Sequence, residues 1–146
     1  MTWILYIHIL AACSWIGGSI LLFALGVFLK EPATQEAVYG AIGPFYGYFE
    51  TVWLIVLITT GLIMGEYYNL FALLGSQGEL ANAVEIKLIL VLALTIATIV
   101  HLIIAFSTHK KTRTFYQKLL SRGGSMAIFL LNLAILWFAM EIRTLL

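Results

Sequence analysis

Ile7-His8-Ile9-Leu10-Ala11-Ala12-Cys13-Ser14-Trp15-Ile16-Gly17-Gly18-Ser19 combines a histidine, a tryptophan and a glycine pair without a single charge. It lies inside an apolar run that opens at the first residue and meets no charged side chain before Lys30. A histidine two turns into such a run is costly in hydrocarbon, so it needs a partner or a task. Trp15 then supplies a bulky ring, and Gly17 and Gly18 supply positions where a neighbouring helix can come close. The stretch therefore reads as the centre of a small membrane bundle, with His8 as its first functional candidate.

Composition agrees with that reading. Of the 146 residues, 62% are hydrophobic and 10% charged, against roughly 25% charged in soluble domains. A net charge of +1 gives no electrostatic footprint for nucleic acid. The length suits one domain, residues 1–146. A single cysteine, Cys13, excludes an internal disulfide and a paired-cysteine metal motif, and reads as a small core residue. Leu10-Ala11-Ala12-Cys13 looks like a lipoprotein cleavage box, but no basic residue precedes it and the apolar run continues well past it.

Outward from the first run, three more apolar segments follow. The predicted helices cover about 2–29, 46–65, 85–107 and 124–143, each near the roughly 20 residues a span requires. The expected architecture is all-α: a polytopic membrane protein with an up-down bundle of four transmembrane helices. Pro32 and Pro44 bound the first connection, where Ala33–Ala41 reads as a short surface helix. In the second connection Leu70–Leu74 is apolar enough to dip into the interface, and Tyr67-Tyr68 suits an interfacial belt. The third is basic and contains His109, read as solvated. Lys30, Lys110, Lys111, Arg113, Lys118 and Arg122 fall on the face of the first and third connections, against Lys87 and Arg143 on the other. Six against two places the basic loops in the cytoplasm and both termini in the periplasm of a bacterial inner membrane.

In that topology the polar residues fall in two layers. His8, Glu66, Glu85, Lys87 and Glu141 form the outer one, with Arg143 just beyond. Glu50 and His101 are predicted at matched depth near the inner side, as a structural polar pair on neighbouring helices. Lys87 and His101 are almost four turns apart and share a face of their helix. Each has a plain reading beside the functional one: a histidine that bonds a neighbouring helix, a snorkelling lysine, a buried hydrogen bond. The face of His8 runs through Ala12, Trp15 and Ser19, which offers room, an aromatic wall and a hydroxyl for a flat cofactor. One haem held by both His8 and His101 is disfavoured, because the rise of about 1.5 Å per residue separates them by about 15 Å along the axis. Copper is the second candidate, with His8, Met64 and Met140 as the metal ligands, since thioethers suit Cu(I). Gly61 and Gly65 form a GxxxG match, a signal for a close helix pair or a homodimer face. Phosphate loops, dinucleotide fingerprints and zinc-protease histidine pairs are absent.

His8 with Ser14-Trp15-Ile16-Gly17-Gly18, and Glu85-Ile86-Lys87-Leu88-Ile89-Leu90, resemble the opening and a later helix of the copper-resistance protein D (CopD) family. The same pattern, histidine in helix 1 and lysine opening helix 3, is similar to that of the HemJ-type protoporphyrinogen oxidases, four-helix proteins of haem synthesis. The resemblance implies metal or haem handling near the periplasmic side. Cofactor-binding residues would be His8, Trp15, Lys87 and His101, the cofactor haem b or copper, and the partner a periplasmic metal or haem carrier. The alternatives are a HemJ-type membrane oxidoreductase and a structural or assembly subunit whose polar layers set helix registry.

Overall fold

The computed structural model describes residues 1–107 and 115–146, with 44, 105, 115 and 117–122 described by their backbone alone. His109 and the basic residues 110, 111 and 113 lie outside the described residues. The chain is all-helical: α1 (Thr2–Phe28), α2 (Pro32–Tyr67), a 3-10 turn (Leu70–Leu73), α3 (Glu79–Ser107) and α4 (Phe115–Leu145). Each of the four α-helices contains a segment long and apolar enough to cross a membrane, which makes this an integral membrane protein by length and composition. The surface agrees. On α3, Ile89, Leu92, Ile96 and Ile103 recur on one face and are each more than half exposed, a stripe that only lipid or another apolar surface would cover.

Three helices are longer than the apolar segments they contain. α2 starts at Pro32 and runs through Pro44, where a surface helix and a break were expected. Pro32 occupies the first helical turn, where its missing N–H is not needed. Pro44 directly precedes the apolar span Phe45–Tyr67. A break at that point would strip backbone groups of their partners at the edge of hydrocarbon, and bundled membrane helices tolerate proline for that reason. The α1–α2 corner is tight because Gln35 closes it: its side-chain amide nitrogen Nε2 donates to the carbonyls of Leu29 and Gly26 at the end of α1, where helix carbonyls have no partner of their own. α3 starts at Glu79 and α4 at Phe115, both earlier than their apolar runs, so Gly123 and Gly124 are interior to a helix.

The backbone of α1 comes close to α2 and α4, and that of α3 to α2 and α4, while diagonal helices meet only through side chains among the described residues. The result is a square bundle built from two antiparallel hairpins. Its middle layer takes one buried residue from each helix: Trp15, Leu54, Leu94 and Ile128. A second buried cluster, Ala83, Val84 and Ile142, lies toward the end where the 3-10 turn folds back and Leu70 packs on it. Asn69 takes a left-handed conformation before that turn, and the Glu85 carboxylate accepts the backbone N–H of Gly75 at 2.6 Å. Leu70–Leu73 is thus docked on the bundle end. Cys13 is exposed on the outer face of α1 rather than in the core.

The glycine pair of α1 divides in role. A Cβ at Gly18 would sit 2.8 Å from the Tyr46 hydroxyl, whereas one at Gly17 would meet nothing within 4 Å. Gly18→Ala is expected to destabilise by about 1–3 kcal/mol through overpacking, and Gly17→Ala to be neutral or to stabilise by up to about 1 kcal/mol. Thermal unfolding in detergent, followed by helical circular dichroism, checks this; equal midpoints for the two variants would refute the α1–α2 packing described.

Candidate functional site

The outer site begins with His8. Its ring faces α2 at Gly61, whose absent side chain makes the room: a Cβ there would lie 3.4 Å from Cε1. Nδ1 is 2.7 Å from the Thr60 hydroxyl oxygen. That hydroxyl donates to the Val56 carbonyl at 2.6 Å, so its single proton is committed. Toward His8 the oxygen can only accept, which makes Nδ1 the N–H donor and leaves the lone pair on Nε2. A hydrogen bond at one ring nitrogen fixes tautomer and orientation for the other, the arrangement of a ligating histidine. Lys87, half-buried on α3, is within electrostatic range of the same ring.

Other expected members of this layer are placed elsewhere. His8 is held by Thr60, not by Glu85 or Glu141. Glu85 serves the loop at Gly75 and Glu66 is exposed. Trp15 is 2% exposed and packed among Leu54, Leu94 and Ile128, so its faces are filled by the core and it offers no wall to a flat ligand. Met140 is 61% exposed, so its side chain points away from the bundle interior, while Met64 is half-buried. No group of three or more His, Cys, Asp or Glu residues that could cage a metal occurs among the described residues. The GxxxG glycines are covered from within the chain, Gly61 by the His8 ring and Gly65 by the Phe71 ring, so this motif is not an open face for a second copy.

The inner site is a cavity of about 30 Å³, lined in part by Ser19, Tyr46, Glu50, His101 and Ser125. Glu50 is 5% exposed. Glu50 and His101, expected to share a depth, are indeed brought to one cavity from α2 and α3. Gly124 of α4 lets His101 in, with Nδ1 3.6 Å from where its Cβ would be. Asn132 Nδ2 donates to Ser19 Oγ at 3.2 Å, and Ser19 in turn shares a hydrogen bond with Tyr46. This chain of polar groups ties α4, α1 and α2 together beside the cavity.

Thr60 and Asn132 were not among the sequence candidates, and Gly61 was read only as part of the GxxxG match. Asn132 could have been found, as an amide in the middle of the fourth apolar run is costly unless it bonds another helix. Thr60 carried no such signal, because a threonine in a membrane helix usually satisfies itself on the carbonyl one turn back. Thr51 and Thr95 do so here. Two polar atoms at the bundle centre, Trp15 Nε1 and Thr98 Oγ1, are buried with no hydrogen-bond partner among the described residues.

Thr60→Val keeps the shape and removes the acceptor, stranding the imidazole N–H. Destabilisation by about 1–3 kcal/mol is expected. Introducing His8→Ala into the Thr60→Val background should then cost less than introducing it into wild type. A double-mutant cycle on unfolding midpoints measures this; strictly additive effects would mean that the His8–Thr60 bond does not form.

No family model, no curated protein and no solved structure matches this chain, so what the two sites do is argued from the chemistry of their own residues.

Proposed function

We propose that this is an inner-membrane protein that handles haem, or a closely similar carboxylate-bearing metal chelate, at the outer end of the bundle. The observation that carries this reading is the His8–Thr60 hydrogen bond, which assigns the N–H to Nδ1 and the lone pair to Nε2 in a ring within electrostatic range of Lys87. His8 would supply one nitrogen to the iron, and Lys87 would answer a propionate. Haem brings the iron and its redox chemistry; the protein supplies the ligand, the orientation and the charge.

The same residues argue against bare copper. A lysine ammonium within range of the ligand repels a metal cation, whereas it attracts an anionic ligand. The expected thioether of Met140 faces outward, and one imidazole plus Met64 is a thin ligand set for Cu(I). A shallow, open and mostly apolar surface runs between the start of α1 and the end of α2, along Met1, Leu62, Ile63 and Phe71, with Glu66 and Tyr67 at its edge. It lies outward of His8 on the same helix pair, and a flat apolar ligand held at His8 would extend along it. His101 has no part in this reading, since it belongs to the inner cavity.

Haem titration of the purified protein tests the proposal. Wild type is expected to develop a Soret band, His8→Ala to lose most of it, and Lys87→Met to bind haem at least several-fold more weakly while keeping the ligand. His109→Ala should bind like wild type. An unchanged spectrum in His8→Ala, or no binding by wild type, would overturn the assignment.

The proposed orientation puts both termini in the periplasm, on the six-to-two distribution of basic residues. A reporter active only in the periplasm, fused after Leu146, should give signal. Activity from a cytoplasmic reporter at the same position would reverse the two faces.

A further inference from the structure

The inner cavity has a charge problem that the haem reading leaves untouched. Glu50 is the most buried of the seven glutamates; the other six are exposed or half-buried. It sits about 8 Å of helix rise inside the start of the α2 span, by roughly 1.5 Å per residue. The groups around it come from all four helices. α1 gives the Ser19 hydroxyl, α2 the Tyr46 phenol one turn away, α3 the His101 imidazole and α4 the Ser125 hydroxyl, with Leu22, Phe23 and Ile128 completing the wall. No lysine or arginine lines the cavity among the described residues.

An ionised carboxylate buried without a cation costs several kcal/mol or more, and is relieved by a proton or by a cation drawn in beside it. A cavity of about 30 Å³ has room for one or two waters, not for a solvated organic ion. Its polar lining offers such a water both donors and acceptors. An apolar cavity of this size would stay dry, and a purely structural carboxyl would be packed against a fixed partner with no space left over.

We propose that this cavity is a proton-binding site inside the membrane, with Glu50 as the group that carries the proton. A hydronium ion entering the cavity transfers one proton to a Glu50 carboxylate oxygen and remains as water. Release runs the same step backward, with no other bond made or broken. His101, which also lines the cavity, is the second protonatable group there. Tyr46, held by Ser19 and through it by Asn132, fixes the hydroxyl side. The site stands on the half of the bundle away from His8: Thr60 and Glu50, which mark the two sites on α2, are separated by about 15 Å of helix rise.

Infrared difference spectroscopy on the lipid-reconstituted protein, cycled between acidic and alkaline buffer, tests this. Wild type is expected to show a protonated-carboxyl C=O stretch that is lost on the alkaline side, returns reversibly, and shifts in D₂O. Glu50→Gln should lack that band with its helical amide bands unchanged. Glu50→Asp keeps the acid and should show the band at a shifted frequency, which assigns it even if the glutamine variant fails to fold. Repeating the wild-type cycle with sodium in place of choline, at equal ionic strength, should change nothing. If sodium removes the band, the cavity is an alkali-cation site and the proposal fails. It fails equally if wild type, Glu50→Gln and Glu50→Asp give the same carboxyl bands.

Discussion

Hydrocarbon offers no hydrogen bonds to a polypeptide, and that lack shapes every helix of this bundle. Every backbone N–H and C=O within the spans must be paired inside its own segment, which leaves helices as the only solution for a chain of four apolar runs. The constraint also explains why the helices overrun the apolar segments. Stopping α2 at Pro44 or α4 at Gly123 would release the backbone groups of the first turn of each span at the edge of hydrocarbon. The same rule governs the side chains. Thr51, Thr60 and Thr95 each return their hydroxyl proton to the carbonyl one turn back. Asn132 crosses to Ser19 on another helix.

That economy has a chemical consequence at His8. Because Thr60 has already given its proton to Val56, it can meet the imidazole only as an acceptor, and the tautomer of a histidine some 52 positions away is fixed. A helix-stabilising habit of threonine thus becomes the device that orients a candidate ligand. Gly61 completes it by leaving space for the ring. Thr60 decides which nitrogen carries the lone pair, and Gly61 makes the room for the ring.

The two polar sites are held apart by the layer of Trp15, Leu54, Leu94 and Ile128. One large residue from each helix fills the middle of the bundle, so apolar packing lies between the outer and inner sites. This is the physical reason for assigning them separate chemistry. Trp15 illustrates it: placed beside His8 on the helix face by periodicity, it belongs instead to the core that divides the sites.

The amino-acid sequence by itself determined the class of structure: four apolar runs with short connections can only be a helical membrane bundle, whatever their packing. It also determined depth, since rise per residue is fixed in a helix. That is why Glu50 and His101 could be assigned to one level and are found lining one cavity, and why His8 and His101 could be kept apart. Rotation about each helix axis was decided only by the tertiary structure. Periodicity says which residues share a face but not what that face meets, so it could not tell that His8 turns to Thr60, that Met140 and Cys13 turn outward, or that Gly61 and Gly65 are filled by rings of their own chain. In an apolar solvent the outer face of a helix is as hydrophobic as its inner face, so the contrast that marks the core in water-soluble proteins is missing. Only the fit of particular side chains between helices sets that angle.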